Sequence, residues 1–264
     1  MTGRTVADHY SSGSLGQRVS DALAAAGVDP EHPTVEQLAY VDEFHVGGRP
    51  ATVRLGEHLD LRAGHRVLDI GSGLGGPARY FADHYRATVT GIDLTPEFVE
   101  VASSLTRRAG LARNVTFRLG DATALPFPDQ SFDRAYLIHV GMNVRDKARL
   151  FAAAYRVLVP GGLLAVYDVM RAQPGPLAFP VPWASDEADS FTAEPREYRE
   201  ALERAGFAVL SERGWREFAE DSFGPAAPGR PVAMGADAGL KVTNLRRNIE
   251  AGLVAPSEIV GQRQ

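Results

Sequence analysis

The sequence predicts an α/β fold built on a doubly wound, largely parallel sheet, and two observations carry that prediction. From Val67 onward, strand-like apolar runs alternate with stretches of helical spacing, which is the pattern of a parallel sheet with helices on both faces. The first of these runs, Val67 to Ile70, is short and apolar and is followed at once by glycines, as expected of a buried parallel strand.

The residues before this region predict a helical segment. Apolar positions at helical spacing predict a helix from about 15 to 27. Thr34 is predicted to be the N-cap of a second helix, and a third runs from about 50 to 59 after the Gly47–Gly48 break.

The elements that follow are predicted in chain order. The predicted strands are 66–70, 88–92, 115–119, 133–138, 163–169, 207–213 and 256–262. The predicted helices are 75–85, 96–109, 145–158, 195–205 and 240–251, with Thr95 as the cap of the second. Right-handed crossovers bring the carboxyl ends of the parallel strands to one edge. One crevice should therefore collect Gly71, Asp93, Asp121 and His139.

Three glycines at alternate positions, Gly71, Gly73 and Gly75, follow the first strand. They permit a sharp turn and a close approach to a ligand, and the helix that follows directs its free N–H groups toward that ligand. Asp69 could accept hydrogen bonds from a cationic or amine-bearing ligand but would repel a phosphate. Gly71, Gly73 and Gly76 also satisfy the G-x-G-x-x-G pattern of dinucleotide-binding loops, so NAD remains a competing ligand at this point.

The string DIGSGLGG resembles the first motif of class I S-adenosylmethionine (SAM)-dependent methyltransferases. Asp93, at the end of ATVTGIDLT, suits the ribose of NAD and SAM alike. The segments VTFRLGDATALPFPDQSFDRAYL and VLVPGGLLAVYDV are similar to later motifs of the small-molecule members, such as the ubiquinone/menaquinone C-methyltransferases. The resemblance covers about residues 60 to 170 and favours SAM over NAD. It implies a Rossmann-like sheet of seven strands with the last strand antiparallel, and S-adenosylhomocysteine as the product.

The same resemblance implies the cofactor contacts. The methionine portion would be surrounded by Asp69, Gly71, Ser72, Gly73 and Gly75. The nucleoside would be bound by Asp93 at the ribose, Leu94 at the adenine face, and Asp121 with Ala122 at the adenine edge.

Three residues are candidates for catalysis. His139 lies in HVGMNV, which resembles FGLRNV of the quinone C-methyltransferases, and it would either take a proton from the acceptor or only contact the cofactor. His45 lies in DEFHVGG, which resembles the IHxG segment of sarcosine and dimethylglycine methyltransferases, and is otherwise an ordinary polar loop residue. Tyr10 is placed like a tyrosine that closes on the methyl group in related enzymes, and is otherwise a surface aromatic residue.

The resemblance also implies a division of the chain. Residues 1–62 would form a lid, and residues 63–264 the SAM-binding core with cap insertions at about 171–194 and 216–240. Asn143, Phe179 and Trp183 are the candidate substrate contacts.

The proline-rich, aromatic first insertion favours an apolar or aromatic small metabolite as the methyl acceptor. N-methylation stays open because of DEFHVGG, as do O- and C-methylation. The alternative function is a cyclase or isomerase that binds SAM without transferring the methyl group.

Composition excludes several other functions. The chain has 264 residues and a net charge of −5 with both signs interspersed, so no basic stripe predicts nucleic-acid binding. It has no cysteine, which excludes disulfides, thiolate metal sites and cysteine nucleophiles, and its seven histidines have no ligand spacing, so no metal is expected. No apolar run is long enough for a leader or a membrane span, which predicts a cytoplasmic protein without membrane insertion. Homodimerisation is left open.

Overall fold

One seven-stranded sheet forms the centre of the protein in a computed structural model that describes residues 14–215, 230–235 and 237–264. Its strands are β1 Arg66–Ile70, β2 Thr88–Asp93, β3 Val115–Leu119, β4 Phe132–Ile138, β5 Leu158–Arg171, β6 Phe207–Gly214 and β7 Val254–Arg263. They lie in the order β3-β2-β1-β4-β5-β7-β6. Strands β1 to β5 pair in parallel, and β7 is antiparallel to both β5 and β6. The predicted Rossmann-like sheet with an antiparallel last strand is confirmed.

The helices connect and cover these strands. They are α1 Leu15–Ala25, α2 Val35–Asp42, α3 Gly48–His58, α4 Gly76–Tyr85, α5 Pro96–Arg108, α6 Lys147–Val157, α7 Pro195–Arg204 and α8 Ala238–Glu250. Short 3-10 turns lie at Gly141–Asn143, Glu187–Asp189 and Arg230–Met234.

Helix starts follow local sequence with one difference. Thr34 caps α2 in a capping box: its hydroxyl accepts from the Gln37 N–H at 3.2 Å, and the Gln37 side chain accepts from the Thr34 N–H at 2.8 Å. Thr95 occupies the N-cap position of α5 as predicted, but its side chain makes no capping hydrogen bond. Its backbone N–H instead donates to Asp93 Oδ1 at 2.9 Å.

Two boundaries differ from the predicted ones. Helix α3 begins at Gly48 rather than at Pro50, because a proline is tolerated within the first helical turn. Strand β5 begins at Leu158 rather than at residue 163. Leu158 pairs with Phe132, and a register shift follows, so the proline and glycines after Leu158 lie within the strand.

The side chains of the sheet alternate between two apolar clusters, one on each face. Leu68 and Leu137 point to the cluster that includes α6 and α7, whereas Val67 and Tyr136 point to the cluster that includes α3 and α4. A third cluster joins α1 and α2 to α5 and to Leu74 of the glycine loop. The N-terminal helices therefore pack against the loop that follows β1.

Among the described residues, no helix combines the length and the apolar character needed to cross a membrane.

Candidate active site

A cavity of about 330 Å³ lies at the carboxyl ends of the central parallel strands. It brings together most of the predicted site residues, namely His45, Asp69, Gly71, Ser72, Gly73, Asp93, Leu94, Asp121, Ala122, His139, Asn143 and Trp183. Of the predicted residues that the structure describes, Gly75 and Phe179 do not line it. Tyr10 lies outside the described residues.

The glycine loop turns over the end of β1 and leaves space for a ligand. Gly71 has φ +76°, and a Cβ atom there would lie 2.3 Å from Val140 Cγ2. Gly73 has φ +50°, and a Cβ there would lie 3.2 Å from the ring of Phe44. Glycine adopts these conformations without strain and without a Cβ atom that would meet Val140 or Phe44, so the loop backbone itself can line the cavity.

Gly75 shapes the loop from behind. It has φ +79°, and a Cβ there would lie 2.4 Å from the ring of Phe117. Its N–H donates to the Ser72 carbonyl oxygen at 2.8 Å, which directs the chain into α4.

Asp93 is held at the tip of β2 by two backbone donors. Its Oδ2 accepts from the Gly73 N–H at 2.8 Å, and its Oδ1 accepts from the Thr95 N–H at 2.9 Å. Burial raises the pKa of this carboxyl, and the hydrogen bonds oppose that shift. Each oxygen retains acceptor capacity for a further donor, such as one of two adjacent hydroxyl groups.

Asp69 is buried behind the same loop. Its Oδ2 and the hydroxyl of the neighbouring Ser72 are buried and have no hydrogen-bond partner among the described residues. Burial raises the pKa of Asp69 to about 8, the nearby Tyr136 hydroxyl opposes this, and the charges of Asp93 and Glu43 add to it. A cationic ligand group would provide the missing partner and favour the carboxylate.

The adenine-side residues lie at the rim. Asp121 is exposed, and its Oδ1 accepts from both the N–H and the hydroxyl of Thr123, at 2.7 and 2.8 Å. Leu94 lines the cavity and is 43% exposed, so its apolar side chain is available for contact with a ring.

His139 ends β4 with a left-handed backbone, φ +57°. Its ring stacks on Tyr167 with the centroids 5.5 Å apart, and it meets the ring of His45 edge-on at 5.9 Å. Burial, and to a lesser extent His45, lowers the pKa of His139 well below its usual value of 6.5. Its buried Nε2 has no hydrogen-bond partner among the described residues. The imidazole is therefore neutral at pH 7.

The turn after His139 is held from behind by Asp168, a fully buried residue of β5. Its Oδ1 accepts from the Val140 N–H at 2.8 Å, and its Oδ2 accepts from the Gly141 N–H at 2.9 Å and from the Tyr198 hydroxyl at 3.0 Å. Burial raises the pKa of Asp168 to about 7, and these donors oppose the shift. Asp168 thus fixes the backbone beside His139 without lining the cavity.

His45 belongs to a buried polar group between α2 and α3. Its Nε2 lies 3.1 Å from the Gly48 carbonyl oxygen and 3.5 Å from Glu43 Oε2. The Thr52 hydroxyl donates to the same Glu43 oxygen at 2.6 Å, and Arg49 Nη1 lies 2.9 Å from the other. This arrangement holds the His45 ring against Tyr167 and His139.

The predicted substrate residues separate into two groups. Trp183 lines the cavity, and its indole N–H donates to Ser190 Oγ at 3.0 Å. Asn143 lines the cavity within the turn after β4. Phe179 packs against the apolar cluster around Val181 instead.

Sequence reasoning missed many cavity residues, among them Asp42, Phe44, Phe98, Met142, Pro182 and Met234. Most of them are apolar and come from segments distant in sequence, so no local motif marks them. Asp42 and Asp168 did leave a signal, because a carboxylate within a stretch that is otherwise buried requires a partner. Among the described residues, no group of three or more histidine, aspartate or glutamate side chains could hold a metal ion.

Comparison with known proteins agrees with this geometry. A family model described as a methyltransferase domain matches residues 68–166. The O-methyltransferase cnsE of Penicillium expansum is 30% identical over 225 residues, which cover 75% of this chain and 82% of that protein. The chain belongs to the class I SAM-dependent methyltransferase family of enzymes, and its cofactor is SAM.

Other relatives match over shorter parts. Methyltransferase GfsG of Streptomyces halstedii is 40% identical over 168 residues, 63% of this chain and 58% of that protein. The chain thus spans little more than half the length of this curated relative.

Two solved structures share the fold. The phosphoethanolamine N-methyltransferase 2 of Haemonchus contortus with SAM has a TM-score of 0.72 at 18% identity, covering 99% of this chain and 60% of that one. The [4+2]-cyclase SpnF has a TM-score of 0.65 at 24% identity, covering 94% of each chain.

Proposed function

We propose that this enzyme transfers the methyl group of SAM to a hydroxyl group of a small, largely apolar metabolite. The observation that carries this proposal is His139, a neutral imidazole with an unpartnered Nε2 beside the cofactor loop. A hydroxyl acceptor must lose a proton as it is methylated, and a neutral imidazole has one nitrogen able to take it.

The residues present suit the cofactor. Its ribose hydroxyls match the retained acceptor capacity of Asp93, and its amino group matches the unpartnered oxygen of Asp69. When bound, SAM would supply a methyl group on a positively charged sulfur, and that sulfur becomes neutral when the acceptor oxygen takes the methyl group. An imidazolium at His139 therefore replaces a positive charge rather than adding one, which reduces the cost of protonating a buried ring.

The cavity supports an apolar substrate. Its lining includes the side chains of Phe44, Phe98, Met142, Trp183 and Met234. These surfaces would bury an apolar acceptor and exclude water, so that orientation and desolvation contribute to the rate. The O-methyltransferase activity in the name of cnsE agrees with this choice.

The predicted lid and cap are part of this proposal. Asp42, Phe44 and His45 contribute to the cavity from the segment before β1, and Pro182 and Trp183 from the insertion after β5. We infer that the described part of the predicted lid, residues 14–62, covers the cofactor and that the insertion at about 171–194 covers the acceptor; residues 1–13 of the predicted lid lie outside the described residues. The second predicted insertion, at about 216–240, lies mostly outside the described residues.

The proposal is tested by measuring S-adenosylhomocysteine release with a panel of apolar alcohols and phenols, alongside amines of similar size. Turnover with hydroxyl compounds is expected, and the variant His139→Asn should lose about 100-fold or more in kcat, because asparagine tolerates the left-handed backbone but is no base. The exposed His32 provides the control, since His32→Asn should retain full activity. Turnover of amines alone, or an unchanged His139→Asn enzyme, would refute the proposal. Acceptor conversion without S-adenosylhomocysteine would favour the cyclase or isomerase alternative.

A further inference from the structure

Arg145 is the only arginine or lysine among the described residues that line the cavity. It comes shortly after the 3-10 turn Gly141–Asn143, on the same chain segment as His139. Apart from the two histidines, the other ionisable side chains of the lining are Asp42, Asp69, Asp93, Asp121 and Asp146. An anionic group of a ligand in this cavity therefore has one guanidinium group to pair with.

The ring of Phe191 holds the guanidinium group of Arg145 in place. The guanidinium carbon lies 4.6 Å from the ring centroid, which is a cation–π contact. Phe191 is itself fixed through its backbone, because its N–H donates to the Met142 carbonyl oxygen at 2.9 Å and its carbonyl oxygen accepts from Lys147 Nζ at 2.7 Å. No carboxylate of the described residues lies within ion-pair distance of Arg145. Its N–H donors, which lie in the plane of the group, are therefore available to a ligand.

A second, more open groove adjoins the cavity at Arg145 and Asp146, which line both. The rest of its lining combines small and aromatic residues with a few charged ones, namely Lys147, Ala148, Phe191, Thr192, Ala193, Glu197, Ala201 and Arg204. A ligand longer than the cavity can thus continue past Arg145 along a partly apolar surface.

The charged side chains of this groove leave one positive charge, because Arg145, Lys147 and Arg204 face only Asp146 and Glu197. Four of the five are already engaged. Lys147 Nζ donates to three carbonyl oxygens at 2.7, 3.2 and 3.3 Å, and Arg204 lies 3.7 Å from a glutamate of its own helix. Asp146 and Glu197 each accept a backbone N–H at the start of a helix, at 2.9 and 3.0 Å. Arg145 remains to pair with a ligand, and a single negative charge would balance it.

We propose that the methyl acceptor carries a carboxylate and that Arg145 binds it, which makes Arg145 a specificity-determining residue. A guanidinium group presents two parallel N–H donors that match the two oxygens of a carboxylate. A phosphate dianion suits the site less well, because the exposed carboxylates of Asp121 and Asp146 line the same cavity and would repel its second charge. The inference deepens the proposed function and rests on it, since the hydroxyl group of the same acceptor would react at His139.

Matched pairs of acceptors test the inference. The probes are 4-hydroxyphenylalkanoic acids of increasing chain length, each compared with its primary carboxamide and with the corresponding alkyl phosphate. The carboxamide keeps the shape and the hydroxyl group and removes only the charge. The best acid should exceed its amide by about tenfold or more in kcat/KM for S-adenosylhomocysteine release, mainly through KM, because only the acid makes a charge-assisted pair.

Binding is measured alongside turnover. Calorimetric titration of the complex with S-adenosylhomocysteine reports the affinity for each probe, whether or not that probe is methylated. The acid should again bind about tenfold or more tightly than its amide. The difference should shrink as salt is added, because Arg145 is exposed at the mouth of the cavity.

Arg145→Met removes the guanidinium group and keeps a long apolar stem against Phe191. It should bring acid and amide within about twofold of each other by raising KM and Kd for the acid, with those for the amide unchanged. Arg149→Met is the matched control, because Arg149 is equally exposed on α6 and lines neither the cavity nor the groove. It should keep the full preference for the acid.

The outcomes separate this inference from the proposed function. Equal affinity of the wild type for acid and amide, or tighter binding of the phosphate than of the acid, would overturn the inference. So would a preference that survives Arg145→Met, or a loss in that variant that is equal for acid and amide, since Arg145 would then be structural only. Methylation of the hydroxyl group in acids and amides alike would leave the proposed function standing without the inference. Release of S-adenosylhomocysteine with amines of this series and not with its hydroxyl compounds would refute the proposed function instead.

Discussion

Binding of the cofactor should remove a proton from Asp69. With a pKa of about 8, this carboxyl is protonated in about nine-tenths of the ligand-free molecules at pH 7. An ammonium group beside it stabilises the carboxylate and lowers that pKa. We therefore expect about 0.9 proton to be released from Asp69 for each S-adenosylhomocysteine bound at pH 7.

The released proton can be counted by calorimetric titration in buffers of different ionisation enthalpy. The variant Asp69→Asn is the reference, since Asp42, whose pKa burial also raises, is present in both proteins. The difference in proton release between the two should be about 0.9 at pH 7 and fall to about 0.1 at pH 9. Equal proton release by both proteins at pH 7 would refute the assignment of Asp69 to the ammonium group.

The same pKa predicts how stability depends on pH. Because Asp69 binds its proton more tightly in the folded chain than in the unfolded one, the folded state carries more protons between about pH 4 and pH 8. The free energy of unfolding of the ligand-free protein should therefore fall as the pH rises through that window, by up to roughly 5 kcal/mol from this residue. Asp69→Asn should flatten the dependence, and denaturant unfolding at several pH values measures it.

Three further predictions concern the loop, the turn and the cap. Gly71→Ala should lower the free energy of unfolding in urea by about 2 kcal/mol and weaken S-adenosylhomocysteine binding. The control is Gly64→Ala, at φ +84° with no atom within 4 Å of an added Cβ, which should lower that free energy by about 1 kcal/mol and leave binding unchanged. Asp168→Asn removes the acceptor for one of two buried backbone N–H groups, so it should destabilise the protein by about 1–3 kcal/mol. It should also lower kcat more than it changes KM, and an unchanged urea midpoint would contradict this prediction. Trp183→Ala removes a buried apolar side chain that lines the cavity, so it should raise KM for the acceptor by about tenfold or more. The affinity for S-adenosylhomocysteine should not change, and weaker binding of both ligands would argue against a substrate role for Trp183.

The sheet was predictable because its signals are local. The run Arg66–Ile70 and the glycines after it mark a strand and a turn within a few residues, and the structure has that strand with the predicted bounds. The start of β5 was not predictable in the same way. Leu158 joins the strand because Phe132 lies opposite it across a register shift, and no pattern near Leu158 reports that partner.

The cavity was predictable only where a strand end carries a motif. Asp93 follows an apolar run, and the topology then brings it to the site. Met234 lines the same cavity but lies more than 140 positions after Asp93 in the sequence, and a single methionine does not indicate where in the fold it will lie. The left-handed backbone of His139 also escapes sequence reasoning, because it depends on the hydrogen bonds that Asp168 makes to the two residues after it.

The position of β7 has a consequence for biosynthesis. Strand β6 reaches the rest of the sheet through β7, which also covers the open edge of β5. A nascent chain that has emerged only as far as α8 can pair β1 to β5, but β5 and β6 still have exposed backbone donors and acceptors. Such edges favour pairing with other chains, so the synthesis of β7, which follows the other six strands along the chain, decides whether the sheet closes on itself or aggregates. Ribosome-stalled chains that end before Val254 should accordingly be the ones that require a chaperone.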